Sequence, residues 1–206
     1  MSTSEVVSTT NDSNNILDFE GYPDEQYQIA VYSNAASLIP ITDKDYSILD
    51  IGCASGRFPI LLNQLLPDFQ NIRYTGIDRN PNAIKYAKNH IWAGYNEGNI
   101  SFRTEDVITW AKDVQTPFDY CFMNSIFHIP EQEDMRTYME LMVDLTYHHL
   151  TRKGLAFNFY WPMGNENPDH TTFEIGEMTE YFIRKYKKVV IKSDYAEGES
   201  FIYIYK

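Results

Sequence analysis

The chain has 206 residues, a length that suits one domain built around one hydrophobic core. Its formal net charge of -12 repels polyphosphates, which argues against DNA and RNA as partners. Only two cysteines are present, which excludes a disulfide framework and predicts a reducing, cytoplasmic location. No apolar run approaches the roughly 20 residues of a membrane-spanning helix, so no membrane partner is predicted.

The N-terminal region precedes the first predicted strand. Residues 1–14 are dominated by Ser, Thr and Asn and lack the segments of a signal peptide, which predicts a flexible tail. Residues 15–206 are predicted to form a single domain, because no composition shift or long linker divides them. Within this domain, residues 15–44 are assigned to an N-terminal helix or lid and residues 45–206 to the core.

Residues 47–58 read SILDIGCASGRF, which predicts a buried strand, a glycine turn and the start of a helix. The apolar run from Ile48 to Ile51 is typical of a strand covered on both faces of a parallel sheet. Gly52 and Gly56 allow the backbone to turn tightly and to approach a ligand closely.

The spacing of these glycines argues against a dinucleotide site. A dinucleotide fingerprint reads G-x-G-x-x-G, but Ala54 and Arg57 stand where its second and third glycines would be. The pattern present is D-x-G-x-x-x-G, from Asp50 through Gly52 to Gly56.

A second strand and helix follow the glycine turn. Residues 72–78 predict a strand that ends in Asp78, roughly 20 residues after the turn. Doubly wound folds place a carboxylate there on the ribose hydroxyls of a ligand. Asn80 and Pro81 then predict a helix N-cap and first helical residue.

Two further strands carry polar residues at their carboxyl ends. Residues 100–104 predict a strand followed by Glu105, Asp106 and Val107. Residues 118–124 predict an apolar strand that ends in Asn124. Ligands of open α/β sheets bind at this edge.

The C-terminal half continues the alternation of helices and strands. Helical spacing and a basic end predict a helix from Glu131 to Leu150 that closes with Arg152, Lys153 and Gly154, and its methionines are assigned to core packing. Further elements are predicted at residues 155–161 (strand), 174–185 (helix), 189–191 (strand) and 201–205 (strand). Such alternation predicts a doubly wound α/β sheet with helices on both faces.

These segments, over about residues 45 to 160, resemble the class I S-adenosylmethionine-dependent methyltransferases, and the motifs occur in the family's order. The resemblance implies a Rossmann-like three-layer sandwich. Its mostly parallel seven-stranded sheet would have the order 3-2-1-4-5-7-6, with strand 7 antiparallel. It also implies S-adenosylmethionine as cofactor, S-adenosylhomocysteine as product and no metal.

The resemblance assigns cofactor contacts to individual residues. Asp50 would help to hold the methionine amino group, directly or through water. Asp78 would bind the ribose, and Asp106, in preference to Glu105, would accept from the adenine amino group. The other residues expected at the cofactor are Gly52, Cys53, Ala54, Gly56, Arg79, Val107 and Asn124.

The acceptor side is less well marked in the sequence. Methyl transfer from a sulfonium is an in-line displacement, which needs positioning and, for a protonated nucleophile, a base. His128, just past strand four, is the candidate base or substrate ligand; the alternative is a loop histidine that packs or caps the next helix. The candidate substrate residues are Tyr27, His128, Tyr160, Trp161 and His170, and for the aromatic residues ordinary packing is the alternative.

A small-molecule acceptor is the leading hypothesis for function. The sequence Asn124-Ser-Ile-Phe lacks the paired prolines of enzymes that methylate the exocyclic amines of flipped bases. It also lacks the Pro-Cys pair of cytosine-C5 methyltransferases, and Cys121 is predicted inside a strand, where it could not serve in that role. The alternatives are a methyltransferase for a protein or RNA partner, and an inactive scaffold that retains the cofactor fold. Aminopropyl transfer is disfavoured, because it calls for an acidic pair where Asn124 and His128 stand. Monomer and homodimer both stay open.

Overall fold

The computed structural model describes residues 22–40, 42–66, 71–91, 99–128, 134–162 and 171–206. The helices in these ranges are α1 (Glu25–Ala36), α2 (Phe58–Leu65), α3 (Pro81–Tyr86), α4 (Val107–Trp110), α5 (Met135–Leu145) and α6 (Ile175–Lys185). The strands are β1 (Ser47–Ile51), β2 (Arg73–Asp78), β3 (Ile100–Thr104), β4 (Phe118–Met123), β5 (Thr151–Tyr160), β6 (Val189–Lys192) and β7 (Glu199–Tyr205). One turn of π-helix extends α3 over Ala87–Ile91, and another extends α5 over Thr146–Leu150.

The strands form one seven-stranded sheet in the order β3-β2-β1-β4-β5-β7-β6. Strands β1 to β5 pair in parallel, whereas β7 is antiparallel to both β5 and β6. The predicted fold class, strand order and antiparallel seventh strand are therefore confirmed. Because β7 runs the opposite way, its first residue, Glu199, pairs with Tyr160 at the carboxyl end of β5.

Alternate residues of the central strands pack into two separate cores, one on each face of the sheet. Ile48 and Phe122 face a core that α1, α2 and α3 cover. Leu49 and Met123 face the other core, to which α4, α5 and α6 contribute. Helices on both faces complete the three layers, and the carboxyl ends of the parallel strands β1 to β4 lie along one edge of the sheet.

Capping side chains fix where several helices begin. Asn80 accepts hydrogen bonds from the backbone N–H groups of Asn82 and Ala83, and Pro81 is the first residue of α3, as predicted. Asp24 caps α1 and Asp134 caps α5 in the same way, each through a side-chain oxygen. These caps satisfy backbone donors that have no partner inside the helix.

The helix that contains α5 ends at Leu150 as predicted, but β5 begins at Thr151, earlier than the predicted start of the strand at residue 155. Arg152, Lys153 and Gly154 were predicted to close the helix, but all three belong to β5. Arg152 donates to Asp119 at 2.9 Å and Lys153 to Asp43 at 2.8 Å. Pairing with β4 therefore extends the strand back to the end of the helix, and the partly exposed ion pairs add at most about 1 kcal/mol each.

Several predictions fall on residues that the structure does not describe. They are the tail at residues 1–14, the first part of the lid up to residue 21, the start of the predicted helix at residues 131–133, and His170. Across the described ranges, no helix has both the length and the apolar character needed to span a membrane.

Candidate active site

A cleft of about 260 Å³ opens at the carboxyl edge of the sheet, and we call it the carboxyl-edge cleft. It is bounded by the glycine turn, by the residues after β2, β3 and β4, by α5, and by the segment around α1. The residues that line it are Tyr22, Tyr32, Asp50, Ile51, Gly52, Ala54, Ile77, Asp78, Arg79, Asn80, Glu105, Asp106, Val107, Asn124, Ser125, Ile126, Met135, Tyr138 and Met142.

Gly52 closes one side of this cleft in a conformation that other residues rarely adopt. Its φ is +75°, and a Cβ atom there would lie 2.4 Å from Cγ2 of Ile126. Gly56, with φ +78°, would place a Cβ atom 2.7 Å from the Phe102 ring. Gly52 is therefore needed beside the cleft, whereas Gly56, which is outside the lining, is needed for packing against β3.

The Asp78 carboxylate holds the glycine turn in place. Its Oδ2 accepts from the Ala54 N–H at 2.9 Å, and its Oδ1 accepts from the Asn80 N–H at 2.8 Å. A carboxylate has about four acceptor positions, so two remain for a ligand. Asp78 thus both shapes the cleft and presents acceptor capacity to it.

Asp50 is the most deeply buried acid of the cleft, with 2% of its surface exposed. The Tyr74 hydroxyl, from the neighbouring strand β2, donates to its Oδ2. A buried carboxylate needs such donors, and a cationic ligand would offset part of the free-energy cost of burying its charge.

The acids after β3 occupy different positions. Oδ1 of Asp106 caps α4 by accepting from the N–H groups of Ile108 and Thr109, at 2.9 and 3.2 Å. Both Asp106 and Glu105 line the cleft, and the Glu105 N–H donates to the Asp78 backbone carbonyl at 3.0 Å. The cap fixes the Asp106 carboxylate at the rim of the cleft.

Asn124 follows β4 and is 7% exposed. Neither amide atom of its side chain has a hydrogen-bond partner within the described part of the chain. Buried amides are nearly always paired, so an amide that lines a cleft without partners fits a polar ligand.

Aromatic side chains from the N-terminal segment complete the cleft. Tyr22 and Tyr32 line it and pack edge to face, with ring centroids 5.6 Å apart. Tyr32 also contacts Phe58 at the start of α2, with ring centroids 5.0 Å apart. Arg57 binds Glu25 of α1 at 2.7 Å, which ties the helix to the glycine turn.

The sequence profile of a family described as methyltransferase domain matches residues 42–151, more than half of the chain. The chain belongs to the class I S-adenosylmethionine-dependent methyltransferases. Its cofactor is therefore S-adenosylmethionine. No curated protein sequence matches the chain.

Solved structures agree with the fold of this methyltransferase. A SAM-dependent methyltransferase from Agrobacterium tumefaciens aligns with a TM-score of 0.64 at 14% identity, over 87% of this chain and 62% of its own. One from Aquifex aeolicus aligns with a TM-score of 0.60 at 11% identity, over 91% and 96%. The plantazolicin methyltransferase BamL, solved with a triazolic desmethylPZN analog and SAH, aligns with a TM-score of 0.61 at 15% identity, over 94% and 89%.

Most residues that the sequence assigns to the cofactor meet in the carboxyl-edge cleft. Eight of the ten line it: Asp50, Gly52, Ala54, Asp78, Arg79, Asp106, Val107 and Asn124. Cys53 and Gly56 do not. The Cys53 side chain is buried against Gly76, where a Cβ atom would lie 2.8 Å from its Sγ.

None of the four candidate acceptor residues of the methyltransferase that the structure describes lines this cleft, and three of them, Tyr27, His128 and Tyr160, lie close to one another. Tyr27 donates its hydroxyl to Glu199 and lies 3.3 Å from the Tyr160 hydroxyl oxygen. His128 is buried, and its ring centroid lies 5.2 Å from that of Tyr160. Burial, with the nearby Glu199 charge, raises the pKa of Tyr27 well above its ordinary range.

Sequence reasoning missed several residues of the cleft. The methionines of the predicted helix were assigned to core packing, and Met135 and Met142 pack in the core beneath α5 but also line the cleft, as does Tyr138, which packs against the same core. Tyr22 and Tyr32 replace Tyr27 as the aromatic residues of the N-terminal segment that reach it. Helical periodicity identifies a buried face, but it cannot separate residues under the sheet from residues beyond its edge.

Proposed function

We propose that this methyltransferase transfers the methyl group to a small-molecule acceptor. The observation that carries the proposal is the charge of the cleft. Its lining contains Asp50, Asp78, Glu105 and Asp106, and Arg79 is the single basic side chain in the lining that the structure describes. Together with the net charge of -12, this arrangement suits a cationic cofactor and repels a polyphosphate acceptor.

The cofactor residues would divide their roles along the cleft. Asp50 is proposed to hold the methionine ammonium, Asp78 the ribose hydroxyls and Asp106 the adenine amino group. Asn124 is proposed to contact the cofactor through its side-chain amide, which has no hydrogen-bond partner among the described residues. When bound, the cofactor supplies a methyl group on a positively charged sulfur with a neutral leaving group.

The acceptor would be oriented by residues next to the cleft. His128 follows the lining residue Ile126 by two positions and is proposed as the base where the nucleophile carries a proton. Tyr27, Tyr160 and Trp161 are proposed to shape the acceptor site. The nucleophile must lie in line with the bond that breaks, so these residues would contribute mainly by positioning.

Two other functions are the alternatives: cofactor binding tests the second of them, and the assay over acceptor panels tests the first. The acidic surface would also suit a basic protein acceptor. A scaffold that retains the fold without activity is the third hypothesis, and it predicts that neither the cofactor nor its product binds.

The test is calorimetric titration with S-adenosylmethionine and S-adenosylhomocysteine. We expect micromolar binding of both, on the order of -8 kcal/mol. Asp78→Asn should weaken it about tenfold or more, because the ribose loses a charged acceptor and the Ala54 N–H loses its charged partner.

The matched control is Asp45→Asn, an equal change of charge at an exposed residue before β1. It should bind like wild type. Binding of neither compound by wild type would refute the proposed function, and equal affinity of the Asp78→Asn variant would remove Asp78 from the site. Once binding is established, the protein and S-adenosylmethionine are incubated with panels of small molecules, RNA and basic proteins. The panel that yields S-adenosylhomocysteine identifies the acceptor class.

A further inference from the structure

A chain of hydrogen bonds connects Ser125, which lines the carboxyl-edge cleft, to Tyr27 on α1, the helix that carries the lining residue Tyr32. It runs through Ser125, Asn158, Glu199 and Tyr27, and we call it the Asn158 network. Asn158 and Glu199 are each 1% exposed, and neither lines the cleft or was predicted as a site residue.

At one end of the network, the side-chain amide of Asn158 makes two hydrogen bonds to Ser125. The Ser125 N–H donates to Asn158 Oδ1 at 2.6 Å, and Asn158 Nδ2 donates to Ser125 Oγ at 3.0 Å. Ser125 has a φ of +54°, in the left-handed region that serine rarely adopts. The two bonds from one amide thus hold a conformation that the chain would otherwise leave.

This conformation decides where Asn124 points. Asn124 directly precedes Ser125, and its buried amide lines the cleft without a partner in the described ranges. Relaxation of Ser125 to an ordinary conformation would turn the peptide between them and withdraw that amide. The position of a proposed cofactor contact therefore depends on Asn158.

At the other end, the network reaches α1. The second N–H of Asn158 Nδ2 donates to Glu199 Oε1, and Glu199 Oε2 accepts from the Tyr27 hydroxyl. The amide orientation is unambiguous, because Asn158 Oδ1 already accepts from a backbone N–H and only Nδ2 can face the carboxylate. Tyr27 lies on the helix that carries Tyr32 into the lining, and Tyr22 precedes it.

We propose that Asn158 and Glu199 are positioning residues for the cofactor of this methyltransferase. Through Ser125 they hold the amide of Asn124 in the cleft, and through Tyr27 they hold α1 with its tyrosines against it. The inference rests on the proposed function, because Asn124 is taken as a cofactor contact there. Neither residue lines the cleft. Asn158 acts through Ser125 on the amide of Asn124, and Glu199 acts through Tyr27 on α1.

The test is the affinity for S-adenosylhomocysteine in variants of the full chain. Asn158→Leu keeps the volume and removes both bonds to Ser125, and it should weaken binding about tenfold or more. The control is Thr151→Val at the opposite end of the same strand, where a buried hydroxyl donates to the Thr146 carbonyl at 2.9 Å. It loses a buried hydrogen bond too, yet should retain wild-type affinity.

A double-mutant cycle separates positioning from loss of stability. Asn124→Leu should weaken binding in the wild-type background and should cost little more in the Asn158→Leu background, because the amide is already withdrawn. Full addition of the two losses would overturn the inference. A general loss of stability would not produce such coupling between side chains that share no hydrogen bond.

Tyr27→Phe tests the network with minimal disturbance, because it removes only one hydroxyl. Binding should weaken about threefold, as expected for one hydrogen bond. Wild-type affinity in both the Asn158→Leu and the Tyr27→Phe variants would overturn the inference while leaving the proposed function intact. Absence of binding to wild type would instead refute the proposed function and this inference together.

Discussion

Asn124 carries two buried amide atoms that make no hydrogen bond within the described part of the chain. Burying an amide without partners costs free energy, and such groups in native proteins concentrate where a ligand completes them. The same residue ends the strand at which the sequence predicts a cofactor contact. Its position and its missing partners therefore point to the same role.

Replacing Asn124 with leucine should separate stability from binding. The variant keeps the volume and removes an unsatisfied amide, so the free energy of unfolding should rise by about 1 kcal/mol. The affinity for S-adenosylhomocysteine should fall, because the cofactor loses a polar contact. Urea unfolding and calorimetry measure the two quantities, and reduced stability with unchanged affinity would contradict the assignment.

At the scale of elements, the antiparallel β7 has a consequence that the parallel strands lack. Its first residue lies at the edge where the parallel strands end, so Glu199 contacts residues of β5 and α1 and is linked through Asn158 to the loop after β4. Burial raises the pKa of the Glu199 carboxyl above its ordinary value of 4.5, and hydrogen bonds from Tyr27 and Asn158 offset this only in part.

This raised pKa predicts how stability depends on pH. The folded protein binds the Glu199 proton more tightly than the unfolded chain does. The contribution of this proton to the free energy of unfolding is therefore fully present below pH 4.5. It is lost as the pH rises from 4.5 through the higher folded-state value. Glu199→Gln should remove that fall, which urea unfolding across this range of pH measures.

Tyr27→Phe is the companion variant. The Tyr27 hydroxyl stabilises the charged carboxylate, so its loss should raise the pKa of Glu199 further and extend the fall in stability to higher pH. A wild-type pH profile in both variants would show that Glu199 does not titrate differently in the folded chain.

At the scale of the whole molecule, the net negative charge of the protein should attract the cofactor through long-range electrostatics. S-adenosylmethionine carries one positive charge more than S-adenosylhomocysteine, and the cleft presents four carboxylates. Salt screens this attraction, since the Debye length shrinks from about 10 Å at 0.1 M to about 3 Å at 1 M.

The ratio of the two affinities should therefore change with ionic strength. Calorimetric titrations at low and high sodium chloride should show S-adenosylmethionine losing more affinity than S-adenosylhomocysteine. A ratio that does not change with salt would mean that local contacts, and not the summed charge of the molecule, discriminate between the two.

The sequence by itself determined the alternation of strands and helices and most of the cleft, whereas the strand order came from the resemblance to the methyltransferase family. Strands covered on both faces read as apolar runs, and Gly52, Asp78, Asp106 and Asn124 follow them at positions where parallel strands must end together. Local signals suffice here, because the carboxyl ends of neighbouring parallel strands share one edge of the sheet.

Only the tertiary structure decided what surrounds that edge. Arg152 and Lys153 belong to β5, and their partners, Asp119 and Asp43, are so distant in sequence that no local pattern reveals the pairing. Tyr22 and Tyr32 reach the cleft while Tyr27 turns to Glu199, although all three look alike in the sequence. Periodicity records which residues are buried, whereas their partners are set by packing between distant segments, and the Asn158 network exists only through such packing.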